Sequence, residues 1–209
     1  MGNTAASLEP APIHLRGWQN RFDDPKREYG TLYCATERLT CLYEVLADLR
    51  PNSRMLVEWA QLYGGAGLGD VRLAGRITWA WRQRSTLTEA LVVPGGAFAD
   101  LDDVVLRAEL EVRHARLLAE HGMQHLDISQ VRSKSRIVTQ TISRSLYEEG
   151  YAGVRFRSNL DDAECFALFE GRARLEATSG ELEPLTRDLP ELLQTASDFE
   201  LIAKRVWDP

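Results

Sequence analysis

The chain has 209 residues and a formal net charge of −6, with 44% hydrophobic and 27% charged residues. That length suits one sizeable domain burying roughly 70% of its unfolded surface, and the acidic balance argues against a broad nucleic-acid surface. No stretch approaches the roughly 20 apolar residues that cross a bilayer, so no membrane role is expected.

The opening run MGNTAASLEPAPIHL lacks the basic head and apolar stretch of a secretory leader. Cys34, Cys41 and Cys165 form no CxxC pair, which points to reduced thiols and a cytoplasmic setting. His121 and His125 are four apart, but Gly122 weakens any single-helix ligand pair, so no metal site is expected.

Residues 1–12 are small, polar and proline-containing and are expected to be a flexible lead-in. Thr31–Thr36 (TLYCAT) has the composition of a short strand, with Thr31, Tyr33 and Ala35 on one side. A helix is expected from Glu37 to Leu49, with Leu39, Leu42, Leu46 and Leu49 as its apolar stripe and Pro51 as its stop. Met55–Tyr63 is apolar but of undetermined type. The glycine-rich YGGAGLGD that follows lacks the Lys-Ser/Thr of a P-loop and is taken as a flexible connection.

Ile77–Arg82 (ITWAWR) alternates and predicts a half-buried strand whose tryptophans serve the core. Asp100 to Glu120 predicts one long amphipathic helix ending at Gly122. Thr139–Glu149 predicts another, with Val138, Ile142 and Leu146 aligned and Gly150 as the stop. Strands are expected at Gly153–Ser158 and Cys165–Glu170, joined by the turn NLDDAE, with a third at Arg172–Glu176. The tail predicts a helix over Pro190–Gln194. From Asn159 to Glu200 there are eleven acidic residues against three arginines, so this end is acidic. The expected architecture is one α+β domain on a mixed, mainly antiparallel sheet with flanking helices. It would span residues 13–176, with 177–209 an acidic extension packed on the same domain.

Four polar residues stand out: Arg21, Tyr33, Glu44 and Ser158. At about 100° per residue Glu44 points away from the leucine stripe, which fits either a solvent-facing glutamate or one lining a cleft. Ser158 ends the apolar side of GVRFRS with Val154 and Phe156, where a buried hydroxyl needs a partner in the backbone or in a ligand. Tyr33 between Thr31 and Ala35 suits stacking as well as ordinary packing. Arg21 in NRFDDP fits a surface Arg–Asp pair, which contributes little.

These residues fall in an ordered run of motifs. Arg21-Phe22, then Gly30-Thr31-Leu32-Tyr33, then Cys41-Leu42-Tyr43-Glu44-Val45 come first. Leu126-Asp127-Ile128-Ser129, Arg136-Ile137-Val138-Thr139-Gln140, Tyr151-Ala152-Gly153-Val154-Arg155-Phe156-Arg157-Ser158 and Ala167-Leu168-Phe169-Glu170 follow. The run resembles the RES-domain family, named for its Arg, Glu and Ser, from about Leu15 to Arg174. It departs from the family's usual pattern at Phe22, where many members have Trp, and at Asn159, where many have Arg. The loop before Tyr33 leaves Arg16 or Arg27 as alternatives to Arg21.

The resemblance implies a fold like that of ADP-ribosyltransferases, with NAD⁺ as substrate and no metal. It further implies hydrolysis or phosphorolysis of the nicotinamide–ribose bond, or ADP-ribose transfer to a protein. Many members are toxins covered by a small DNA-binding antitoxin; a catalytically silent partner-binding module and homo-oligomer formation stay open. On this resemblance Glu44 stabilises positive charge developing on the ribose and Arg21 holds the neighbouring phosphate. Tyr33 stacks on nicotinamide, and Ser158 orients the ribose or carboxamide.

Overall fold

A computed structural model describes residues 8–50, 53–63, 75, 77–132, 136–178, 182–199 and 201. In chain order the elements are β1 (Thr31–Ala35), α1 (Arg38–Leu46), α2 (Ser53–Tyr63), α3 (Trp79–Gln83), β2 (Thr86–Leu87), β3 (Ala90–Pro94) and β4 (Phe98–Asp100). There follow α4 (Val104–Arg113), α5 (Ala115–Glu120), α6 (Ile128–Val131), α7 (Arg136–Glu148), β5 (Gly153–Arg157), β6 (Glu164–Phe169), β7 (Ala173–Ala177), β8 (Glu183–Pro184) and α8 (Pro190–Asp198). The chain is α+β on a mixed, mainly antiparallel sheet, and its contacts group into two compact units.

The larger unit takes in the described parts of 6–36 and 89–180. Its four-stranded sheet runs β1-β6-β5-β4, antiparallel except for the parallel β4–β5 edge. That parallel pair requires a crossover, supplied by α4 to α7. Alternation then sorts the side chains. Val154, Phe156, Cys165, Ala167 and Phe169 point into a core shared with Leu110, Leu118, Val138, Ile142 and Leu146, while Arg155, Arg157 and Phe166 point the other way. A separate two-stranded ladder pairs β3 with β7.

The other unit takes in the described parts of 37–88 and 181–209. Here α1 packs on α8, with the Tyr43 and Phe199 ring centroids 5.1 Å apart and the Tyr43 hydroxyl donating to the Asp198 carboxylate. Arg38 on α1 bridges Glu183 at 2.6 Å and Glu191 at 2.8 Å, so part of the acidic tail is matched within this unit. β2 pairs with β8.

Several expectations change. The segment ITWAWR is not a strand: Thr78 accepts a hydrogen bond from the Trp81 N–H at 3.2 Å and so caps helix α3, leaving Trp79 51% exposed rather than in the core. The long helix over Asp100–Glu120 begins only at Val104, capped by Asp103, and is divided at His114 into α4 and α5. α1 stops at Leu46, and Ala47–Leu49 tighten into a 3₁₀ turn. Arg172–Glu176 shifts to β7, which pairs with β3 and not with the central sheet. Met55–Tyr63 is helical, and α8 extends to Asp198. Most of YGGAGLGD lies outside the described residues.

Candidate functional site

Arg21 sits in the irregular stretch that leads into β1. Phe22 beside it is fully buried and anchors the turn in the larger unit's core. The Arg21 guanidinium lies 5.5 Å from the Phe156 ring centroid and 5.9 Å from that of Phe22, a half-buried cation over aromatic faces. The neighbouring aspartates hold the turn itself. Asp23 accepts from the Asn20 N–H at 2.8 Å, and Asp24 accepts from the N–H groups of Lys26 and Glu28. Asp24, whose side chain is fully buried, also receives Arg144 at 3.2 Å.

The two alternative arginines are placed differently. Arg16 makes a two-pronged ion pair with Glu170 at 2.9 and 2.8 Å, and the Gly30 N–H donates to the same carboxylate at 2.6 Å. A Cβ on Gly30 would lie 2.6 Å from the Arg16 guanidinium carbon, so a larger residue there would displace the arginine from this pair. Arg16 together with the Gly30 N–H holds the Glu170 carboxyl below its ordinary range, against a smaller opposing effect of burial. Arg27 is exposed in a left-handed backbone conformation (φ +61°).

Tyr33, on the core side of β1, has its hydroxyl engaged twice. It accepts from the Phe22 N–H at 2.9 Å and donates to the Asp23 carboxylate at 3.1 Å. Burial first, and then the Asp23 charge, push its phenol well above the usual range. Ser158 follows β5 on the same side as Phe156 and is 1% exposed. Its N–H donates to the Ala163 carbonyl at 2.9 Å, and its Oγ accepts from the Leu160 N–H at 3.1 Å, closing the turn into β6. The backbone partner that a buried serine requires is therefore present.

Arg21, Tyr33 and Ser158 thus belong to the larger unit, around the face that carries Phe22 and Phe156. Glu44 belongs to the other unit, exposed on α1 opposite the buried Leu42 and Leu46. Asp23 is the residue that sequence reasoning did not assign to the site. NRFDDP suggested a surface ion pair for the arginine, whereas Asp23 is 7% exposed and bound to Tyr33. Its partner lies ten residues away across an irregular turn, and no periodic signal reports such a contact.

The fold is that of a mixed α+β domain whose sheet and the turn before it carry a half-buried guanidinium, a phenol and a buried hydroxyl. A family model, the RES domain, matches residues 4–188. The chain belongs to the RES-domain family. Neither a curated protein nor a solved structure matches it. Membership is consistent with an NAD⁺-utilising enzyme.

Proposed function

We propose that the chain consumes NAD⁺ by cleaving the bond between nicotinamide and ribose, with water or phosphate as acceptor, as the toxin of a toxin–antitoxin pair. The observation that carries this reading is the family match over residues 4–188; Arg21, Tyr33, Glu44 and Ser158 are the residues that the order of motifs in the sequence assigns to the site. In the reaction the C1′–N bond breaks and its electron pair stays on the ring nitrogen, so nicotinamide leaves neutral without a general acid. The acceptor oxygen then bonds C1′, and water, where it is the acceptor, gives up a proton.

The barrier is the positive charge that develops on the ribose, as in glycoside cleavage. Glu44 is assigned to stabilise that charge and Arg21 to hold the pyrophosphate. Tyr33 would flank nicotinamide with its ring, since its hydroxyl is already bonded to the Arg21 turn. Ser158 would orient the ribose or the carboxamide.

Purified protein incubated with NAD⁺, with and without phosphate, is expected to release nicotinamide. Glu44→Ala is expected to lower the rate about 10²–10³-fold, the usual effect of removing one preorganised electrostatic group. Absence of turnover by the wild type, or unchanged turnover by the variant, overturns the assignment. Labelled adenine appearing on protein in place of free ADP-ribose would move the chemistry to transfer.

A further inference from the structure

The turn bearing Arg21 is held from an element more than a hundred residues away. Gln140 and Ser143 lie three apart on α7, on adjoining positions of one helix face. The Gln140 side-chain amide donates to the Asn20 carbonyl at 2.9 Å and, at 3.4 Å, to that of Trp18. The Ser143 hydroxyl, fully buried, donates to the Phe22 carbonyl at 2.8 Å. The carbonyls of the two residues that flank Arg21, Asn20 and Phe22, are therefore both bonded by α7.

β1 completes the grip. Thr31 donates to the Phe22 carbonyl at 3.2 Å, and the Tyr33 hydroxyl accepts from the Phe22 N–H. The buried Phe22 ring ties the turn to the core. Fixing the Asn20 carbonyl through Gln140, the Phe22 N–H through Tyr33 and the Phe22 carbonyl through Ser143 does something further, because it sets the direction in which the Arg21 side chain leaves the backbone. Gln140 is only half-buried, so its amide could have been left to solvent and is instead directed at the turn.

We propose that Gln140 and Ser143 are positioning residues for Arg21. They aim its guanidinium, and so govern affinity for the anionic part of the substrate. The choice of NAD⁺ as that substrate rests on the reading above; the clamp itself does not. A well-held binding group acts on ground state and transition state alike, so its misplacement raises KM and leaves kcat nearly intact.

The double variant Gln140→Glu/Ser143→Ala removes both donors while nearly preserving shape. It is expected to raise KM for NAD⁺ roughly ten- to a hundredfold, in line with the weakening of a hydrogen bond between charged groups. The same pair placed in an Arg21→Ala background should change KM less than about twofold, because the two sites act through one another. Equal losses in both backgrounds would mean general loosening of the fold and overturn the proposal.

A second readout needs no activity. The Arg21 Nε–H resonance, identified by its disappearance in Arg21→Ala, should be dispersed in the wild type and collapse toward the solvent-exposed arginine position in the double variant. Gln140→Glu alone, at a half-exposed position, gives the same reading should the buried Ser143→Ala change impair folding. A wild type that releases no nicotinamide defeats the NAD⁺ reading and leaves this test standing. An Arg21 resonance unmoved by the substitutions overturns the clamp whatever the activity.

Discussion

The two faces of the four-stranded sheet treat polar groups in opposite ways. On the outer face Arg155 lies between Asp100, at 2.7 Å, and Glu164, and Arg157 meets Asp102 at 3.1 Å. Each of these arginine side chains is about two-fifths exposed and matched by carboxylates from β4, β6 or their flanking turns. On the core face Phe156 alternates with these arginines along the same strand and lies under Arg21, while Tyr33 and Ser158 bond to main-chain groups. A period of two thus separates charge neutralised in solvent, which contributes little to stability, from polar groups aimed by a packed aromatic core.

The largest expected contrast is in activity. Arg21→Ala should lower kcat/KM for nicotinamide release about 10²-fold, whereas Arg155→Ala should leave it within about twofold. Equal losses in the two variants would erase the functional distinction between the faces.

A stability contrast comes next. Gly153 lies on the outer face where β5 meets both β4 and β6, and a Cβ there would press on the Ala167 carbonyl and stand 2.8 Å from the Phe98 ring. Gly153→Ala should therefore cost about 1–3 kcal/mol, read as a lower urea midpoint with an unchanged slope. Arg155→Ala on the same strand should cost about 1 kcal/mol or less. A larger loss from the arginine than from the glycine would show that the ion pairs, and not the close strand approach, hold this face.

The same division explains what the sequence made legible. Helix α7 was readable because Val138, Ile142 and Leu146 repeat at helical spacing and are all buried, and because Gly150 takes the left-handed conformation (φ +96°) that ends it. β5 and β6 were readable because one face is apolar throughout. β3 and β4 were not: Pro94 and the Gly95-Gly96 pair resemble loop, and their partners β7 and β5 lie far along the chain. ITWAWR misled because alternation over six residues fits a strand as well as a short capped helix.

At the candidate site, the burial of Ser158 on the core side was legible from alternation. The double engagement of the Tyr33 hydroxyl was not, since its partners sit in an irregular turn. Glu44 was singled out by motif order, because a solvent-facing and a cleft-lining glutamate have the same periodicity.

The smallest effect tests the outer face at its best-made contact. Glu170 follows the core-facing Phe169 and is therefore directed to the outer side, where Arg16 grips it with two hydrogen bonds. Its folded carboxyl titrates below the unfolded value of about 4.3. The stability it adds is accordingly present above that unfolded value and is lost as pH falls through the lower folded one. Glu170→Gln keeps an acceptor for the Gly30 N–H but removes the charge. With the Glu170 side chain 41% exposed, solvent screening limits the expected loss at pH 7 to about 1 kcal/mol or less. The difference between variant and wild type in urea unfolding should shrink toward zero once the pH is below both carboxyl values. A difference that persists unchanged in acid would locate the contribution in packing and hydrogen bonding rather than in charge, and would remove the electrostatic half of the contrast between the two faces.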